Sequence, residues 1–162
     1  MTSAQRRYAI VSFVIGPAVA NALINGLLGW ATFRGVRHVP IWGLGPSVGP
    51  DTLGTCFFLP FFTCLIVTAV TRRHVRRGQV PPLVEVPVVL RTLQGALGRL
   101  VGRALAVGLT TFVVVGGFVS AVSMSLDTET MTYGSFLTFK IGFSVALGLV
   151  VTPPLGLLAL AD

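Results

Sequence analysis

Four apolar segments, each about as long as a bilayer is thick, occupy most of this chain of 162 residues. They cover about 8–33, 52–71, 101–126 and 134–160, and are called spans one to four. About 20 apolar residues are enough for an α-helix to cross the hydrocarbon. Because backbone polar groups in lipid must bond to one another, each span is predicted to be helical. The sequence therefore predicts an all-α integral membrane protein with a single four-helix domain.

The composition supports this fold class and argues against others. Hydrophobic residues make up 53% of the chain and charged residues 10%, with a mean hydropathy of +0.85. A soluble domain averages about 25% charged residues. The net charge of +7 is divided among the ends of the spans, so we do not expect nucleic-acid binding. Two cysteines without a CxxC pattern indicate neither a disulfide framework nor a zinc site.

Arginine is distributed unequally between the two ends of the spans. Arg6 and Arg7 precede span one, and more arginines follow span two: Arg72, Arg73, Arg76, Arg77, Arg91, Arg99 and Arg103. At the opposite ends, arginines are balanced by acids: Arg34, Arg37, Asp51, Asp127 and Glu129. The positive-inside rule then predicts two hairpins with both termini in the cytoplasm. The preference for arginine over lysine indicates a GC-rich bacterial genome, and thus the plasma (inner) membrane.

The predicted cytoplasmic loop, residues 72–100, has two parts. The first is a basic cluster formed by Arg72, Arg73, Arg76 and Arg77. Near anionic lipid headgroups, each arginine is worth about 1 kcal/mol, although topology alone also explains the cluster. The second part carries leucines at near-helical spacing before span three: Leu90, Leu93, Leu97 and Leu100. This spacing predicts a short amphipathic helix on the cytoplasmic surface.

The loop between spans one and two, residues 34–51, is rich in glycine and proline. Its apolar residues favour an interfacial turn that lies on the outer membrane surface. A re-entrant loop lining a pore is the alternative, because glycine-rich backbone can present carbonyls and amides to an ion. Gly43, Gly45 and Gly49 do not have the spacing of a phosphate-binding loop.

Each span carries a stripe of small or polar residues on one face. The stripes are Ala18, Asn21, Ala22, Asn25 and Gly29; Cys56, Pro60, Cys64 and Thr68; Ala106, Thr110, Gly117 and Ala121; and Lys140, Ser144, Gly148 and Thr152. Small residues allow close helix packing in lipid, and asparagine, serine and threonine can bond across helices. The alternative interpretation is a polar path through the bundle. Pro17 removes a backbone donor and predicts a bend in span one that turns Asn21 and Asn25 toward the other helices.

Lys140 is the only lysine, and it lies inside span four. A charged residue within a span is a functional-site hypothesis. One interpretation is that it snorkels to the outer surface, where it can meet Asp127, Glu129 or Asp51. The other is that it faces protein or a water-filled vestibule, with Asn25 or Asp51 as its partner.

These features favour an oligomeric transporter or channel for a small anion or polar solute. Its predicted polar pathway consists of Lys140, Asn21, Asn25, Ser144 and Asp51. The alternative is a non-catalytic accessory or structural subunit of a larger membrane complex, bound through the small-residue faces. No pair of nucleophile and base is visible, so we expect no enzyme activity, and the pattern predicts no cofactor and no metal site.

Overall fold

The computed structural model of the chain describes residues 3–82, 100–125 and 128–161. Four of its helices are long and apolar enough to span a membrane: Gln5–Phe33, Val48–Arg76, Leu100–Ser125 and Tyr133–Leu160. These observed ranges are spans one to four from here on. The prediction of four apolar helices is therefore confirmed, and the largest difference in bounds is at span two, which continues to Arg76.

Two of the spans are interrupted by a wider π-helical turn. Span one begins within α1 (Ser3–Ile10) and continues through a π-helix (Val11–Ile15) into α2 (Gly16–Phe33). Span three consists of α4 (Leu100–Thr111), a π-helix (Phe112–Gly116) and α5 (Gly117–Ser125). Spans two and four are the single helices α3 (Val48–Arg76) and α6 (Tyr133–Leu160). In span one the turn comes directly before Pro17. Since Pro17 has no N–H, the carbonyl of Phe13 loses its helical partner, and the Gly16 N–H bonds instead to Val11.

Span two ends beyond the apolar segment, inside the basic cluster. Arg72, Arg73 and Arg76 are helical, so the predicted loop from residue 72 is wrong at its start. Arginine favours helix, and positive charge near a helix C-terminus is stabilised by the dipole. Gly78, with φ of 68°, then ends the helix in a Schellman motif, in which the Gly78 and Gln79 amides bond to earlier carbonyls.

The main helix contacts do not follow the order of the sequence. Span four packs against spans one and two, and span two also packs against span three. The spatial order in the described part of the chain is thus one, four, two, three. Span four is the most buried span, whereas one and three are the least. The predicted hairpins describe the connections, but the extensive contacts lie between spans from different hairpins.

A small sheet, which we did not predict, joins the two connections at one end of the bundle. Strand β1 (His38–Pro40) pairs antiparallel with β2 (Thr130–Thr132), and His38 lies opposite Thr132. We call this end the sheet end and the opposite one the termini end. Three-residue strands carry too few positions for an alternating pattern to be read, which explains why the sequence did not indicate them.

The glycine- and proline-rich loop folds over the sheet end of the spans. Val39 and Ile41 are buried in an apolar cluster with Phe33, Val48 and Phe136, which lie at the ends of three spans. The loop therefore covers the helix ends, and the re-entrant alternative does not describe it. The predicted amphipathic helix, with Leu90, Leu93 and Leu97, lies outside the described residues.

Candidate functional site

A cleft of about 1050 Å³ separates spans one and two, which are not main packing partners. It extends from Asp51 at the sheet end to Thr71 at the termini end, about 30 Å of helix at 1.5 Å per residue. Apolar side chains form most of its walls, among them Ile24, Leu28, Phe58, Phe62 and Ile66. Its polar side chains lie mainly toward the two ends and along span one.

A salt bridge lines the cleft near the sheet end. The Lys140 Nζ on span four donates to Oδ1 of Asp51 at 2.7 Å and to Oδ2 at 2.5 Å. Lys140 is 5% exposed, whereas the Asp51 side chain is 20% exposed. The structure thus confirms that Lys140 faces protein and that Asp51 is its partner. Asp51 was a candidate partner under both interpretations of Lys140, and the ammonium is enclosed by protein where it meets this carboxylate.

Local packing explains how the Lys140 side chain fits between spans one and four. On span one, a Cβ added to Gly29 would lie 3.0 Å from both Leu137 Cδ1 and Lys140 Cδ. The missing side chain of Gly29 thus creates the space that the lysine methylenes fill. Asp51 lies in the first turn of span two, where the helix dipole also stabilises a negative charge. The two charges therefore come from spans two and four, which pack directly against each other.

The remaining residues of the predicted pathway meet where span one crosses span four. Asn25 is buried, and its Nδ2 donates to the Asn21 carbonyl at 3.1 Å. Ser144 donates to the Ile141 carbonyl at 2.9 Å and lies 3.5 Å from the carbonyl of Asn21. The Asn21 amide occupies the space above Gly148, where an added Cβ would lie 2.0 Å from its Nδ2. The Asn21/Asn25 face therefore packs into the bundle, as predicted, and both residues also line the cleft.

At the termini end, a neutral hydrogen bond crosses between spans one and two. The Tyr8 hydroxyl lies 2.8 Å from Nδ1 of His74. Beneath it, Phe13, Val80 and Leu160 form a buried apolar cluster. This contact was not predicted, because a tyrosine near a span end also suits an ordinary interfacial position. The cleft thus ends in a charged contact on one side and a neutral one on the other.

The small-residue stripes have different outcomes in different spans. All four stripe residues of span four are buried, as are those of span two. The stripe of span three does not pack within the described chain, since Thr110, Gly117 and Ala121 are exposed. That helix packs through another small-residue face, where Gly108 and Gly116 approach Phe57 and Leu53 of span two. Small residues occupy two faces of span three, so their spacing alone did not identify the packed one.

The basic residues differ in burial. In the cluster, Arg73, Arg76 and Arg77 are exposed and Arg72 is half-buried, so the guanidinium groups lie at the termini end of span two. Arg103, which we assigned to topology, is 3% exposed, and burial of that degree was not evident from its position at a span end. The two cysteines, Cys56 and Cys64, are buried, and no disulfide joins them. Among the described residues, no three histidine, cysteine or acidic side chains are grouped as a metal site would require.

The chain matches no protein-family model, and comparison with curated proteins and with solved structures finds no similar protein.

Proposed function

We propose that the protein is a small polytopic transporter of the bacterial plasma membrane, and that its solute occupies the cleft between spans one and two. The observation that carries this proposal is the cleft itself. Its volume, about 1050 Å³, is at the upper end of the range of about 300–1,000 Å³ that small-molecule sites occupy. Such sites have mostly apolar walls and few polar groups, which is also the character of this cleft.

The residues that line the cleft indicate the chemistry of the solute that it can hold. A fully hydrated ion gains little from walls such as Ile24, Leu28 and Phe58, whereas a molecule with an apolar body does. The polar groups near the sheet end, Lys140, Asp51 and Asn25, would receive its charged or hydrogen-bonding part. The solute we propose is therefore a small amphipathic one, anionic or polar at one end.

Orientation and assembly complete the proposal. With the arginine asymmetry, both termini lie in the cytoplasm, and the basic cluster of Arg72, Arg73, Arg76 and Arg77 contacts anionic headgroups there. The cleft lies between two helices at the side of the bundle, so a second copy is needed to close it against lipid. We therefore propose a homo-oligomer as the transporting form.

Flux into liposomes that contain only the purified protein tests this function. The radiolabelled anion decane-1-sulfonate is a suitable solute, because it stays ionised and enters slowly by itself, and matched liposomes without protein measure its passive entry. We expect protein-dependent uptake that saturates and that is lost with Lys140→Met. Uptake equal to that of empty liposomes, by a protein that remains folded, would contradict transport.

A second candidate function is that of an accessory subunit in a larger membrane complex. Span three supports it, because in the described chain its main contacts are with span two alone. Its other faces expose Val113, Val114 and Phe118, which a partner helix can cover. Co-purification of one defined partner after mild solubilisation, together with absent flux, would favour this function over transport.

A further inference from the structure

The two charges in the cleft differ in what each can do without the other. Among the described residues that line it, Asp51 and Lys140 are the charged ones. Lys140 is the more deeply buried of the two, at 5% exposed against 20% for the Asp51 side chain. A buried charge that loses its partner is strongly destabilising, and replacing that partner avoids the penalty.

The Asp51 carboxylate can be stabilised without Lys140, whereas the Lys140 ammonium cannot be stabilised without a partner. Asp51 lies in the first turn of span two, at the sheet end, where the helix dipole and water can stabilise a carboxylate. The Lys140 methylenes pack against Gly29 and its ammonium is enclosed in the bundle. Replacing Asp51 by another anion at Lys140 therefore costs less free energy than replacing Lys140 by a cation at Asp51.

This asymmetry decides the charge of a ligand. An incoming anion can replace Asp51 at the Lys140 Nζ and leave no buried charge unpaired. An incoming cation would draw Asp51 away and leave the lysine buried alone. Charge complementarity in this cleft thus favours an anion, although the salt bridge as a whole is neutral.

We infer that the cleft binds single molecules of an anionic amphiphile, whose head displaces Asp51 from Lys140 while its apolar tail lies along Ile24, Leu28, Phe58 and Phe62. This inference rests on the proposed function, because it concerns the same cleft. Its test does not require transport, because binding is measured without flux. Since Asp51 belongs to span two and Lys140 to span four, the exchange also removes a link between these two helices.

Binding of decanoate to the protein in nanodiscs of zwitterionic phosphatidylcholine tests the inference. The readouts are the dissociation constant from calorimetry and the ligand-dependent rise in Tm. Asp51→Asn removes the competing carboxylate, so decanoate should bind more tightly, on the order of tenfold, a change typical of coupled sites. Its Tm should rise more with decanoate than that of the original protein, because a ligand that binds the folded state stabilises it.

Lys140→Met should have the opposite effect and lose the preference for decanoate over the neutral decanol. Glu129→Gln is the matched control, since it removes a negative charge at the same end without contacting Lys140, and it should leave binding unchanged. The two halves of one salt bridge therefore shift affinity in opposite directions. A merely structural salt bridge would make both variants less stable and change their affinity for decanoate equally.

Three results would overturn the inference. They are equal binding of decanol and decanoate, tighter binding of decyltrimethylammonium than of decanoate, and weaker decanoate binding by Asp51→Asn. A fourth arm adds phosphatidylglycerol to the nanodiscs. Loss of decanoate binding there, with a Lys140-dependent rise in Tm from the lipid alone, would assign the site to a lipid headgroup instead. Decanoate binding without flux would refute transport and leave this inference intact.

Discussion

Contacts of different kinds lie at the two ends of the cleft. At the sheet end, Lys140 and Asp51 form a salt bridge whose lysine is buried. At the termini end, Tyr8 and His74 share a neutral hydrogen bond above an apolar cluster that contains Phe13. Neutral partners can separate at modest cost, because each can bond to water, whereas a buried ammonium cannot lose its carboxylate cheaply. The contact at the sheet end therefore separates at low cost only when another charge replaces the carboxylate, whereas the contact at the termini end has no such requirement.

The largest effect is expected for Asp51→Leu, which leaves Lys140 buried without an acceptor. Breaking a buried pair in this way costs about 3–5 kcal/mol. The measurement is the free energy of unfolding in mixed micelles, with Glu129→Gln as the control for loss of one acid. A loss no larger than that of Tyr8→Phe would show that the salt bridge is not the stronger of the two contacts.

Lys140→Met should cost less than Asp51→Leu, although both remove the same contact. The remaining carboxylate of Asp51 is partly exposed and lies at a helix N-terminus, so it is not stranded. We expect a loss of about 1.5–3 kcal/mol, the range for a hydrogen bond to a charged group. The same unfolding measurement gives the order of the two variants. If Lys140→Met is the more damaging, the lysine is not the partner that depends on the bridge.

Tyr8→Phe tests the termini end with the loss of one oxygen atom. Removing a neutral hydrogen bond should lower the free energy of unfolding by about 1 kcal/mol. His74→Phe, which removes the other partner, should cost a similar amount, and the double variant should cost little more than either. Additive losses from the two variants would show that the hydroxyl and the imidazole do not depend on one another.

Tyr133→Phe should have the smallest effect and serves as a contrast to Tyr8→Phe. Within the described residues, the Tyr133 hydroxyl is buried without a hydrogen-bond partner. Its removal therefore relieves a desolvated oxygen, and stability should stay the same or rise slightly. A loss as large as that of Tyr8→Phe would mean that the Tyr133 hydroxyl is bonded and that the sheet end also contains a neutral contact.

The long apolar segments allowed the spans to be predicted to within a few residues, because hydropathy over 20 residues is a strong signal. The packing order was not accessible in the same way, since lipid-facing and protein-facing surfaces are both apolar. In span three, the face that packs against span two is not the stripe that the spacing indicated. The sheet between His38–Pro40 and Thr130–Thr132 was missed because it depends on two distant connections meeting.

The salt bridge was partly predictable. Lys140 is the only lysine, and inside a span its charge requires a partner, which left few candidates. Sequence distance could not choose between Asn25 and Asp51, since Asn25 lies at a depth similar to that of Lys140, and Asp51, at the mouth of span two, lies within reach of the long lysine side chain. The choice depends on span four lying between spans one and two. The cleft between spans one and two results from the same position of span four, and no local sequence pattern indicates that position.

The central position of span four has a consequence for how the chain is made. Span four is the last of the four spans to be synthesised, yet it supplies the main contacts of span one and the charge that Asp51 requires. Until it emerges, spans one and two have little to hold them to each other, and Asp51 has no counterion. Domains usually fold from the N-terminus as they are synthesised. Here spans one and two must wait for the synthesis of span four before they acquire their final neighbours.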